Sequence, residues 1–158
     1  MLKQLIILIM EWLSRVFKIS EKPIPDIEEV IVEEAIKEEI KTIKVSRIYD
    51  WAKAIEKYEG YYPQSRSYRN NNPGNIKSLD GSFLTFKSYQ EGFDYLCDYL
   101  KRVCEGKHTG YSKGGETTLL EFFIIYAPQA DNNYPIAYAQ FVAIKLGVDE
   151  SIKIKEFL

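Results

Sequence analysis

Apolar residues recur at intervals of three and four along much of this chain, the spacing of one face of an α-helix. In residues 2–18 the polar side chains fall at Lys3/Gln4, Glu11, Ser14/Arg15 and Lys18, with Ile7 the one apolar residue on that stripe. Leu, Ile, Met, Trp and Phe fill the remaining surface. Ser20-Glu21-Lys22-Pro23-Ile24-Pro25 breaks the pattern, because two prolines one residue apart cannot sit inside a helix. Helical spacing resumes with Ile27, Val30, Ile31, Ala35, Ile36, Ile40 and Ile43, opposed by pairs of Glu. That predicts a solvated helix whose narrow apolar stripe docks on the rest of the chain or on itself.

From Val45 onward the pattern changes more often. Ser46 reads as an N-cap, and Ile48, Trp51, Ala52, Ile55 and Tyr58 form one apolar face of a helix over Val45–Tyr58. Gly60 is its stop, which makes Glu59 the last helical residue. Residues 65–77, SRSYRNNNPGNIK, are too polar for a core strand and too rich in turn formers for a helix. Gly81–Phe86 reads as a short strand that pairs with Asn75–Lys77 through a turn at Asp80-Gly81, a small hairpin. Ser88 caps a helix from Tyr89 to Cys104 with Phe93, Leu96, Cys97, Leu100 and Val103 inward. Gly106–Gly115 is a loop, and Thr117-Thr118 open a helix over Leu119–Tyr126. Residues 127–135 form a second polar loop before a last helix from Ile136 to Lys145, ended by Gly147. The fold class is mainly α (α+β).

Composition divides the chain at the same place. Residues 1–44 hold no Gly and two aromatics, Trp12 and Phe17, whereas all 9 Gly lie beyond them. Turn formers and bulky core residues therefore belong to a domain at 45–158, and 1–44 is an N-terminal helical appendage. Its apolar run LIILIM is short for a secretory signal and no small-residue cleavage site follows. Glu11 and Arg15 interrupt what a spanning helix needs, about 20 apolar residues. A membrane-surface helix, a helix that packs on a partner, or an atypical signal or anchor remain open for this segment. A net charge of −2 argues against affinity built on a cationic field for nucleic acid.

The reactive groups are few. His108 is the one histidine, so a zinc site of several His cannot be built, and its Gly- and Lys-rich loop predicts an exposed, non-catalytic residue. Cys97 and Cys104 lie about 10 Å apart along one predicted helix, beyond disulfide reach. Free thiols suit a reducing cell, or a protein that meets the periplasm only on injection or lysis. No metal or cofactor is implied. What remains is carboxylate, amide and tyrosine chemistry. Glu59 stands out, since a carboxylic acid at a helix end beside Tyr58, Tyr61 and Tyr62 has a raised pKa. Such an acid stays protonated near neutral pH and serves as a proton donor.

Two strings carry a family likeness: Ala54-Ile55-x-x-x-Glu59-Gly60-Tyr61, and Arg69-Asn70-Asn71-Asn72-Pro73-Gly74-Asn75-Ile76. With Phe83-x-Thr85-Phe86-x-Ser88-Tyr89-x-Glu91-Gly92-Phe93, Tyr126-Ala127-Pro128, Asp131-Asn132-Asn133 and Tyr138-x-x-Phe141-Val142, residues 48–148 resemble the lysozyme-like peptidoglycan-cleaving domains of bacteria and their phages. RNNNPGNI is the most specific piece. The resemblance implies a lysozyme-like domain with a small β-hairpin. It also implies cleavage of the β-1,4 bond between N-acetylmuramic acid and N-acetylglucosamine, by lytic transglycosylation or by hydrolysis.

On that resemblance Glu59 is the catalytic acid, then base. Asn75 holds an N-acetyl group, steadies the intermediate, or caps its loop. Tyr126 matches the aromatic that flanks the acid, Asn132 and Asn133 line the glycan groove, and Tyr61, Tyr62 and Tyr134 offer stacking surfaces. Asp131 is the candidate second carboxylate that a hydrolase would need, and the single-acid route of a transglycosylase is favoured. One departure is Gly60, where many transglycosylases carry a Ser that orients the acid; Ser65 or Ser67 are the substitutes in reach. The implied partner is the bacterial glycan strand, in the cell wall or periplasm. Residues 1–44 then attach the chain to a virion part or a membrane. The alternative is a glycan-binding or structural virion subunit with little catalysis.

Overall fold

The computed structural model describes residues 2–17 and 27–158; the Ser20–Pro25 linker lies outside them. The described residues are mainly helical. They form α1 (Leu2–Phe17), α2 (Ile27–Tyr58), α3 (Arg66–Arg69), α4 (Tyr89–Cys104), α5 (Leu119–Tyr126) and α6 (Pro135–Leu146). Contacts gather the chain into two compact units, Met1–Thr42 and Ile43–Leu158.

In the first unit, α1 exposes Leu5, Leu8, Ile9 and Trp12. Among the described residues no helix is long and apolar enough to cross a membrane. Ile31, Ile36 and Ile40 of α2 are likewise exposed, and Glu33 pairs with Lys37 one turn away at 2.7 Å. The separate helix expected to begin at Ser46 does not exist. Residues 27–58 contain neither Gly nor Pro, so nothing interrupts the backbone ladder and Ser46 sits inside one continuous helix.

The second unit is built around the far half of α2. Trp51, Ala52 and Ile55 are fully buried against Leu96, Leu100 and Val103 of α4, Phe122 and Phe123 of α5, and Val142 of α6. Trp51 meets the Phe122 ring edge-on at 4.8 Å and lies 5.0 Å from Phe157 near the C-terminus. Local signals place most helix ends. The Ser88 hydroxyl accepts from Glu91 N, Gly147 takes the left-handed cap of α6, and Thr118 and Glu121 form a reciprocal capping box on α5. Thr118→Ala is expected to lower stability by about 1 kcal/mol, read as a small shift of the urea midpoint at constant slope.

Three expectations are modified locally. The hairpin keeps its expected turn and pairing, with Ser78 N–H on Ser82 O at 2.8 Å and Leu84 N–H on Ile76 O at 2.9 Å, but narrows to an isolated bridge between Lys77 and Phe83, with no strand among the described residues. The cause is Asn72, fully buried, whose Nδ2 donates to Ile76 O and Leu84 O at 2.9 Å and whose Oδ1 accepts from Ile76 N at 3.0 Å. A side chain thus takes Ile76 N–H and Leu84 O, the pair that the next ladder bond would join, while Leu84 N–H still reaches Ile76 O. Within the loop of residues 65–77 the chain makes one helical turn, α3, capped by the Ser65 hydroxyl on Tyr68 N. His108 is half-buried rather than exposed, its ring 4.8 Å from Tyr99 and 5.4 Å from Tyr111. Tyr111 itself is buried flat against Phe122, which draws the loop onto the core.

Candidate active site

The end of α2 is set by chain chemistry. Gly60 adopts φ +68°, its N–H reaches Lys57 O, and Tyr61 N–H reaches Glu56 O at 3.3 Å. This paired closure needs a left-handed residue at Gly60, where a Cβ is unfavourable. Glu59 therefore sits just past the last helical residue, Tyr58, with its own N–H still on Ile55 O at 2.9 Å. The turn fixes where its carboxyl points.

Two donors from distant segments meet that carboxyl. Asn75 Nδ2 donates to Oε2 at 2.8 Å, and the Tyr138 hydroxyl donates to Oε1 at 2.9 Å. Asn75 is held in the left-handed region, φ +47°, by the loop that Asn72 braces. Tyr138 is clamped in α6. Its ring stacks on Tyr58 at 3.7 Å and on Phe123 at 4.2 Å, so the hydroxyl has little freedom. Burial pushes the Glu59 pKa up, opposed in turn by the Asn75 and Tyr138 hydrogen bonds and the Arg66 charge; the net shift is upward. Burial, and then the nearby Glu59 charge, raise Tyr126 and Tyr138 well above the usual phenol range, so both are neutral donors at pH 7.

The sequence-predicted residues separate into three groups. Asn75 touches Glu59. Tyr126 stands near enough to feel its charge, but its hydroxyl donates to Gly74 O at 2.5 Å and braces the loop instead. Asp131 forms an ion pair with Lys77 at 2.6 Å on a half-exposed surface. Asn133 donates to Pro128 O, and Asn132 takes the left-handed cap of a 3-10 turn over Gln129–Asp131. Tyr62 and Tyr134 are exposed, while Tyr61 is half-buried between Tyr68 and Tyr89. Ser65 is occupied as the α3 cap and Ser67 donates to Gly60 O, so the hydroxyl on Glu59 comes from Tyr138 rather than from either serine.

Tyr138 and Arg66 are the contributors that sequence reading missed as site residues. A signal for Tyr138 exists: it shares a helix face with buried Ala139 and Val142, and a buried tyrosine needs a hydrogen-bond partner. What partner it finds is set by tertiary packing.

Compared with family models, curated proteins and solved structures, the chain finds no match.

Chemically, the arrangement is a single carboxylic acid made a weak acid by burial, with two fixed donors ready to hold its anion. It suits delivery of a proton followed by its recovery.

Proposed function

We propose that this chain cleaves the β-1,4 glycosidic bond between N-acetylmuramic acid and N-acetylglucosamine in bacterial peptidoglycan, on a lysozyme-like fold. The observation that carries the reading is Glu59, buried, raised in pKa and held by Asn75 and Tyr138. Glu59 gives its proton to the glycosidic oxygen as the C1–O bond breaks. The carboxylate, stabilised by the two donors, then takes a proton from the nucleophile that attacks C1. Asn75 Oδ1 is buried and accepts no hydrogen bond within the protein, an unsatisfied acceptor beside the acid.

The nucleophile decides the product. The muramic acid 6-hydroxyl gives a 1,6-anhydro end, and water gives a reducing end. Asp131 is engaged by Lys77, which favours the route that needs one carboxylate. Residues 1–44, with the exposed apolar side chains of α1, serve as an attachment segment for a virion part or a membrane.

Purified peptidoglycan incubated with the full chain is expected to release soluble muropeptides, and mass spectrometry of their ends separates the two routes. Failure to release any, with the protein folded by circular dichroism, rejects the cleavage reading. Sedimentation with the wall in that case supports the glycan-binding alternative.

A further inference from the structure

Glu33, Ile36, Ile40, Ile43 and Arg47 of α2 follow one another at alternating steps of three and four residues, the seam positions of a coiled coil. Ile36, Ile40 and Ile43 are 50%, 44% and 50% exposed, so the described residues leave this seam open. The helix that carries it is already nucleated. Trp51, Ala52 and Ile55, further along the same continuous α2, are fully buried in the core. A short seam on such a helix can associate without having to fold first.

Three occupants fit an apolar seam: α1, a membrane surface or a second copy of the chain. α1 leaves its own Leu5, Leu8, Ile9 and Trp12 exposed while the seam is exposed too, so it is not the cover. A helix lying on a membrane needs a broad apolar face, whereas this stripe is the narrow one that suits another helix. Its Glu-rich end also repels anionic headgroups. Charge then selects the second copy and its direction. Residues 27–36 hold four Glu and no basic residue, while Lys41, Lys44 and Arg47 are the charged residues of 41–47. Two parallel copies would set acid on acid and base on base. Antiparallel, each acidic stretch lies along the other's basic stretch. The bonds Glu33–Lys37 at 2.7 Å and Glu38–Lys41 at 3.1 Å within the helix are exposed and worth little, so they oppose this weakly. Arg47 gives one nitrogen to Glu156 O and keeps further donors.

We propose that the first half of α2 pairs antiparallel with the same helix of a second copy, Ile36 of each against Ile40 of the other. In that register Glu33 lies beside Ile43 and Lys44 of the second copy, and residues 41–47 of each run along 29–35 of the other. The dimer carries two α1 segments and two copies of the Glu59 site. Its formation is independent of what that site does.

Sedimentation equilibrium of the full chain is expected to show a reversible monomer–dimer equilibrium that weakens as salt is raised. Ile36→Gln with Ile40→Gln should weaken the dimer by roughly tenfold or more and leave the thermal unfolding of the core unchanged. Direction is read from cross-links. Under oxidising conditions a mixture of Ile36→Cys and Ile40→Cys chains should form disulfide-linked dimers faster than either chain alone, and the wild type with its own two cysteines sets the background. A wild type that stays monomeric to its solubility limit overturns the proposal, as does a folded double glutamine variant that dimerises as before. Faster cross-linking of Ile36→Cys alone overturns the antiparallel direction. A monomeric wild type whose binding to phosphatidylglycerol vesicles is lost in the double variant assigns the seam to a membrane instead. If the double variant does not fold, the cysteine cross-links decide.

Discussion

Glu59→Gln is expected to cut peptidoglycan cleavage by roughly 10²–10⁴-fold, the usual contribution of a positioned acid–base group, without unfolding the protein. Glutamine keeps the shape, and the Tyr138 hydroxyl can turn from donor to acceptor to meet the new amide. Stability moves the other way from activity. The folded protein holds the Glu59 pKa above its unfolded value. Its stabilising contribution is therefore complete below the unfolded carboxylate pKa, and it is lost as pH rises through the folded one. Above that interval the wild type carries a desolvated anion that the variant lacks. Glu59→Gln should melt at or above the wild-type temperature at pH 7, and the difference should close in acid. Activity within tenfold of wild type would remove Glu59 from the reaction.

The same geometry fixes the direction of a milder variant. Burial raises the Glu59 pKa, whereas the Tyr138 hydroxyl lowers it by favouring the anion. Tyr138→Phe removes the lowering influence, so the acid stays protonated to higher pH. The alkaline limb of the rate profile, where the acid is lost, is expected to move upward. A downward move would mean that Tyr138 favours the neutral acid.

Local signals in this sequence were legible where the chemistry is local. Ser88, Thr118, Gly60 and Gly147 end or begin helices through backbone bonds made within a turn, and those ends fall where the residue types place them. The upward shift at Glu59 was legible too, because ring-rich flanks make burial the dominant influence. Three features were not. Ser46 is as good a cap in isolation as Ser88, but it follows a run with no breaker, and continuing the helix leaves fewer orphaned groups. Asn72 looks like any turn asparagine until Ile76 and Leu84 come within reach. Tyr138 meets Glu59 across a separation of 79 residues, which no window of sequence records. The site residues that periodicity hides are the ones that tertiary structure brings in.

Gly92→Ala sets two of these influences against each other with opposite signs. Gly92 lies in the first turn of α4, where alanine should stabilise a helix by about 0.5–1 kcal/mol. Packing says otherwise. A Cβ at this position would sit 1.8 Å from Asn71 O and 2.9 Å from the Phe86 ring. The carbonyl would have to retreat by more than an ångström to reach ordinary contact, on the order of 3 Å or beyond. Asn71 cannot yield freely, because it is left-handed at φ +49° and its side chain is bonded to Phe86 O. Its neighbour Asn72 holds the loop to Ile76 and Leu84, and Asn75 holds Glu59. The clash is therefore expected to win, with a net loss of about 3 kcal/mol or more and a fall in Tm on the order of 10 °C. Cleavage should drop more than the folded fraction does, because the displaced loop carries Asn75 away from the acid. A rise in Tm on Gly92→Ala would show that α4 does not press on the Asn-rich loop, and the support for Asn75 would have to come from elsewhere.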